Sequence, residues 1–216
     1  MHGRVEIEQL LPLLFIGVFV TVFALVILAV VRQQKRAREN LSKLADRLGF
    51  QVIEPEKRGI FNRSATRLSG VFRGRNLQVY AYSTGSGKNQ TQWCALATPV
   101  RNPAGLTVRI SRENIFTRVG RKLGIDDVET GDAAFDKAYY VKSNQPDFIR
   151  VALIPEVRQR IASAWESGAR GTLSADAGEV KYAEVGNFSN EKVCTRFGEL
   201  IEVVCDLGEV VEAFPG

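Results

Sequence analysis

Leu10 to Val31 reads LLPLLFIGVFVTVFALVILAVV, 22 consecutive residues with no charged side chain and a single hydroxyl, on Thr21. As a helix rising 1.5 Å per residue, this run is roughly 33 Å long, against about 30 Å for a bilayer hydrocarbon core. A buried core helix is a poor alternative, because a run with no polar face needs protein on every side of it. A cleaved signal peptide needs a basic start, a shorter apolar core and a small-residue cleavage site. Here the first nine residues carry Arg4 against Glu6 and Glu8, and no A-x-A-like site follows. The stretch therefore reads as a retained transmembrane helix. Pro12 sits in its first turn, where a missing N–H costs little.

The flanks give an orientation. RQQKRAR follows Val31, so Arg32, Lys35, Arg36 and Arg38 fall within seven residues, whereas only Arg4 precedes the span, beside two acids. Basic flanks stay on the cytoplasmic side. The expected organisation is a short extracytoplasmic N-terminus (1–9), a transmembrane helix (10–31), a basic juxtamembrane helix (32–49) and a cytoplasmic domain (50–216) at the inner (plasma) membrane. Arg32, Lys35, Arg36 and Arg38 are the candidate membrane-surface and topology residues, and membrane lipid is the expected partner of residues 10–31 and of this cluster.

Net charge is +5, unevenly distributed. Residues 32–75 hold twelve Lys/Arg against four Asp/Glu, residues 76–125 seven against one, and residues 126–216 nine against seventeen. A basic part close to the membrane suits anionic lipid, at about 1 kcal/mol per residue near the surface. A nucleic-acid partner is not expected, since no recognition motif accompanies the charge.

Chemistry-bearing sets are scarce. His2 is the one histidine, and Cys94, Cys194 and Cys205 make no CxxC spacing, so neither a metal set nor a cofactor site emerges. Buried free thiols are the simpler reading than a Cys194–Cys205 redox pair. Gly85-Ser86-Gly87-Lys88 fails the phosphate-loop pattern: Tyr82 stands where the first glycine belongs and Asn89 follows the lysine. No catalytic residues are assigned. Asp126, Asp127, Glu129, Asp132 and Asp136 form an acidic run, in which Asp132 is expected to cap a short helix through Phe135.

Along the domain, Leu41, Leu44, Ala45 and Leu48 lie on one helical face, and Gly49 ends that helix. Hairpins are expected at 68–83, turning at Gly74, and at 171–186, turning at Gly178. Trp93–Thr98 reads as a strand buried on both faces, Leu106–Ile110 and Tyr139–Ser143 as strands, and 111–125 as a helix. Pro146 and Pro155 open two further helices. Asn190 to Ala213 carries a wide apolar band suited to covering a sheet, with Glu199, Glu202, Asp206, Glu209 and Glu212 on its polar side. The expected fold class is α+β: one N-terminal transmembrane helix, then a cytoplasmic domain of antiparallel β-hairpins packed with amphipathic helices. A weak echo between LQVYAY and EVKYAE allows two related halves, about 50–125 and 126–216.

The run Gly131-Asp132-Ala133-Ala134-Phe135-Asp136-Lys137-Ala138-Tyr139-Tyr140-Val141 resembles a G-D-x-x-F-D-x-x-[FY]-x-V signature of an uncharacterised family of bacterial membrane-anchored proteins, a domain of unknown function. The resemblance covers about 128–186, and 40–83 only loosely. It implies an α+β cytoplasmic domain and brings no catalytic residue with it.

The function expected from all this is a non-enzymatic, single-pass membrane protein whose cytoplasmic domain binds another protein or the lipid surface. The alternative is a hydrolase or metal-dependent enzyme using the acidic cluster, for which Asp132 and Asp136 must converge in an open cleft with a third acid. A third reading is a sensor or signalling adaptor whose basic half meets an acidic ligand.

Overall fold

The structure, a computed structural model, describes residues 3–54, 57–58, 62–63, 66–112 and 126–216. The first element, α1 (Gly3–Leu48), is one unbroken helix of 46 residues. From Leu14 to Val31 every side chain on it is exposed, all round the helix. The helix is long and apolar enough to cross a bilayer. Its last turns behave differently. Leu41, Leu44 and Ala45 are buried against the domain. Gly49, at φ 68°, then stops it. The Phe50 N–H reaches back to the Ala45 carbonyl at 2.9 Å, the long bond of a Schellman cap, which only a residue at ease in the left-handed region can close.

After α1 come β1 (Gln51–Ile53), β2 (Lys57–Arg58), β3 (Asn62–Arg63), β4 (Arg67–Phe72), β5 (Arg75–Thr84), β6 (Thr91–Pro99) and β7 (Val108–Arg112). Then follow β8 (Asp126–Asp127), α2 (Ala133–Ala138), β9 (Tyr139–Ser143), α3 (Pro146–Ala152), α4 (Pro155–Glu166), β10 (Thr172–Asp176), β11 (Glu179–Val185) and α5 (Glu191–Glu212). Nine strands form one antiparallel sheet in the order β1-β4-β5-β6-β11-β10-β7-β9-β8, and β2 pairs with β3 separately. The α+β fold class expected from the sequence is the one observed.

Both expected hairpins form, each closed by a two-residue turn. Arg73-Gly74 and Ala177-Gly178 all have positive φ, the signature of a type I′ turn, whose twist matches that of the strands. Because β10 and β11 sit between β6 and β7, strands from before and after residue 126 share a single sheet. The sequence echo pairs Tyr80 with Tyr182, but Val79, Leu96 and Tyr182 lie in register across β5, β6 and β11. Tyr182 therefore points into the core and Tyr80 out of it, so the echoed positions are not equivalent in space.

One shift has a local cause. The strand expected at 106–110 starts at Val108, because Asn102 folds back on Leu106, donating to its carbonyl and accepting from its N–H, each at 2.8 Å. The expected helix at 111–125 lies outside the described residues beyond Arg112.

One face of the sheet carries the core. Alternation along the strands directs Leu68, Leu77, Val79, Cys94, Leu96, Val180, Tyr182, Leu173 and Ile110 inward, where α5, α4 and the end of α1 cover them. The large rings form a continuous edge-on run: Tyr139 to Trp165 (6.0 Å), Trp165 to Tyr182 (5.7 Å), Tyr182 to Phe197 (5.6 Å) and Phe197 to Phe188 (5.2 Å). Edge-to-face rings add about 0.5–1.5 kcal/mol per pair beyond their burial.

Candidate membrane-facing site

The strand directions decide what lies near the exposed part of α1. β11 ends at Val185 opposite Trp93, Gly186 N–H bonds the Gln92 carbonyl at 3.0 Å, and Asn190 caps the start of α5 through Lys192 N–H. At this turn the Asn40 amide of α1 donates to the Phe188 carbonyl at 2.9 Å. Leu44 lies beside Gly198 and faces the first turns of α5. α1 thus enters at the end of the sheet where β11 passes into α5. The β5–β6 hairpin projects at that same end: its last pair is Thr84 with Thr91, two residues beyond Tyr82 with Trp93, and its tip is 85–90.

Arg32, Lys35, Arg36 and Arg38 are all exposed on α1 between its apolar run and the domain. Lys35 lies 3.8 Å from Glu39, one turn on, and Arg38 bonds Glu54 at 2.7 Å, so Arg38 also fastens α1 to the chain after β1. Arg32 and Arg36 make no ion pair among the described residues.

Among the described residues, basic side chains of the first half stand at both ends of the sheet. Residues 66–112 contain seven Lys/Arg and no acid. At the far end, the β4–β5 turn brings Arg73 to Asp206 (2.8 Å) and Glu209 (2.6 Å), and Arg75 to Glu212 (2.6 Å), all on α5; Arg160 of α4 also bonds Asp206. Bonding to these acids raises the pKa values of the Arg73, Arg75 and Arg160 guanidinium groups, and the Arg75 guanidinium in turn lowers that of the Glu212 carboxyl. The opposite charges of the two halves are thus largely joined inside the fold there. Near α1 they are not: Lys88, at the hairpin tip, has no ion pair among the described residues.

Asp206 corrects the sequence reading. Expected on the polar side of the last helix, it is 3% exposed, turned inward to meet two arginines. Glu184 was not foreseen either. It is 1% exposed, accepts from Tyr182 Oη at 2.6 Å and from the Arg170 N–H at 3.3 Å, and pairs with Arg196. The signal was present in the alternation of β11, where Val180, Tyr182 and Glu184 share the inward face.

Within the acidic run, Asp132 and Asp136 are tied to the backbone of the turn into α2. Asp132 caps α2, accepting from Ala134 and Phe135 N–H at 3.1 Å each. Asp136 accepts from Thr130 N–H (2.9 Å), Thr130 Oγ1 (2.7 Å) and Gly131 N–H (3.1 Å). Asp127 bonds Lys142 at 3.2 Å. Asp132 and Asp136 thus spend carboxylate oxygens on backbone N–H groups of the turn into α2. Among the described residues no group of three or more metal-ligating side chains assembles. A cavity between α1 and α5, lined by Asn40, Leu44 and Cys194, measures about 10 Å³, room for one water at most.

Cys94, Cys194 and Cys205 are free and buried. Cys194 and Cys205 are eleven residues apart on one helix, roughly 16 Å, beyond disulfide reach. Burial pushes the Cys194 thiol up to about 11 and raises Cys94 and Cys205 as well. The folded state then holds these protons more tightly than the unfolded chain. The Cys194 contribution to stability is whole below the ordinary thiol value near 9 and is lost as pH rises through about 11. The urea midpoint is expected to fall between pH 8.5 and 10.5, and to fall less in Cys194→Ala; equal slopes in the two proteins would contradict this.

No family model and no curated protein matches the chain. The crystal structure of the mycobacterial trehalose monomycolate transport factor A, TtfA, matches 83% of this chain and 96% of its own, with a TM-score of 0.55 at 14% identity. This chain is similar in fold to TtfA. At that identity the likeness establishes the architecture alone, and the signature resemblance at 128–186 rests on its own residues.

Proposed function

We propose that the chain is a single-span protein of the inner (plasma) membrane, with residues 1–9 outside and a cytoplasmic α+β domain that acts as a non-enzymatic binding module in a lipid-transport process. The observation that carries the reading is the continuity of α1: the apolar, exposed Leu14–Val31 stretch and the buried Leu41, Leu44 and Ala45 belong to one unbroken helix. Each buried leucine contributes about 1.5–3 kcal/mol, so the domain is held against its anchor rather than trailing from it. Arg32, Lys35, Arg36 and Arg38 favour the cytoplasmic placement. The transport element draws on the fold shared with a protein named as a transport factor. Commitment of Asp132 and Asp136 to backbone N–H groups favours binding over catalysis at the acidic run.

The test uses the full chain carrying a C-terminal topology reporter. The wild-type protein is expected to stay with membranes through a salt wash, to dissolve only in detergent, and to report a cytoplasmic C-terminus. Reversing Arg32, Lys35 and Arg36 together to glutamate is expected to invert or mix the topology. Arg38 is left intact because it bonds Glu54. Release of the wild-type protein by salt alone, or an unchanged reporter signal in the triple variant, would overturn the reading.

A further inference from the structure

The sheet face turned away from the helices carries an aromatic group at the end where α1 enters. Tyr82 and Trp93, directly opposed on β5 and β6, stack at 6.2 Å with planes 11° apart, and Tyr80 lies 6.0 Å from Tyr82. Val185, opposite Trp93 on β11, is 63% exposed. Trp93 Nε1–H is already satisfied by Thr84 Oγ1 at 2.9 Å, so the indole needs no water for its polar edge. Beyond these rings the hairpin tip holds Lys88, unpaired among the described residues, and no acid lies between residues 66 and 112.

We infer that the β5–β6 hairpin is a second membrane contact, which lays Lys88 among lipid headgroups and sets Tyr82 and Trp93 at the edge of the interface. The inference rests on α1 being a span. Asn40 is nine residues past Val31, so the domain begins roughly 13 Å beyond the apolar run. The headgroup layer occupies about 5–8 Å of that distance. From the Tyr82–Trp93 pair to the Thr84–Thr91 pair the hairpin advances about 7 Å, before its six-residue tip is counted. The tip therefore has the reach to close the gap. Tyr and Trp are the side chains that favour the membrane–water boundary, being apolar bodies with one polar edge. A lysine near an anionic surface adds attraction that an internally paired Arg73 or Arg75 cannot. Anchored at both α1 and the hairpin, the domain stands in a fixed orientation over the bilayer.

The experiment places the full-length protein in phosphatidylcholine–phosphatidylglycerol vesicles, with and without phosphatidylcholine bearing a nitroxide on its headgroup, and checks insertion by flotation. The chain has two tryptophans, and Trp165, 1% exposed within the core, supplies an unquenched baseline. Nitroxide lipid is expected to quench the Trp93 emission, Trp93→Phe is expected to abolish the quenching, and Lys88→Glu to diminish it. Protein that floats with the vesicles but shows equal emission with and without nitroxide overturns the hairpin contact and leaves that face to a protein partner. Protein that does not float overturns the anchor itself, a separate outcome.

Discussion

Replacing Glu184 with alanine is expected to lower the free energy of unfolding by about 3–5 kcal/mol, the range for removing one partner of a buried ion pair. The carboxylate joins three things. Arg196 on α5 points its guanidinium at it, Tyr182 on β11 donates its hydroxyl, and the Arg170 N–H at the entry to β10 completes the set. Tyr182 Oη in turn accepts from the Gly171 N–H at 2.8 Å. Without Glu184, Arg196 is left as a charge in a nearly closed site, and Tyr182 loses its acceptor. Tyr182 cannot easily move, because its ring lies between Trp165 and Phe197. Glu184→Gln keeps the shape and one acceptor oxygen but loses the charge, so roughly 1–3 kcal/mol is expected. Urea unfolding of both variants checks the order. A loss within about 0.5 kcal/mol for Glu184→Ala, as for an ordinary surface change, would show the cluster to be dispensable.

Asp206→Ala is expected to cost less, about 2–4 kcal/mol, for two charge-assisted hydrogen bonds lost together. The difference lies in what stays behind. Arg73 and Arg160 are each more than a third exposed and can turn to water, as Arg196 cannot. Arg160→Ala alone is expected to cost only about 1 kcal/mol, since Arg73 still satisfies the carboxylate. A double-mutant cycle between Arg73 and Asp206 should return a coupling of about 0.5–3 kcal/mol. Strict additivity would mean that the turn of β4–β5 is not held to α5 by this pair. Arg73 also occupies a positive-φ turn position (49°) where Asn is the usual choice, so Arg73→Asn sets an easier backbone against the loss of the ion pairs.

Much of the architecture was legible because it rests on local pattern. The length of the apolar run, the Gly49 stop, Pro146 and Pro155 at helix starts, Asp132 as a cap and the inward alternation of β5 and β11 all follow from neighbours a few residues apart. The charged residues were less legible. Asp206 fits the polar stripe of an amphipathic helix by spacing, and only the approach of Arg73 and Arg160, 133 and 46 residues away, allows it inward. The charge asymmetry was visible in composition, yet a sum over residues cannot separate Arg73 and Arg75, neutralised on α5, from Lys88, which is not.

By itself the sequence determined that an apolar segment of bilayer length leads a basic stretch into an α+β domain, because length, hydropathy and turn chemistry are properties of consecutive residues. Only the tertiary structure decided the sheet order, the burial of Glu184 and Asp206, and the end of the domain from which α1 projects. Those depend on pairings between distant segments: each requires one strand edge or one charge to meet its partner in space, and no local pattern records which partner that is.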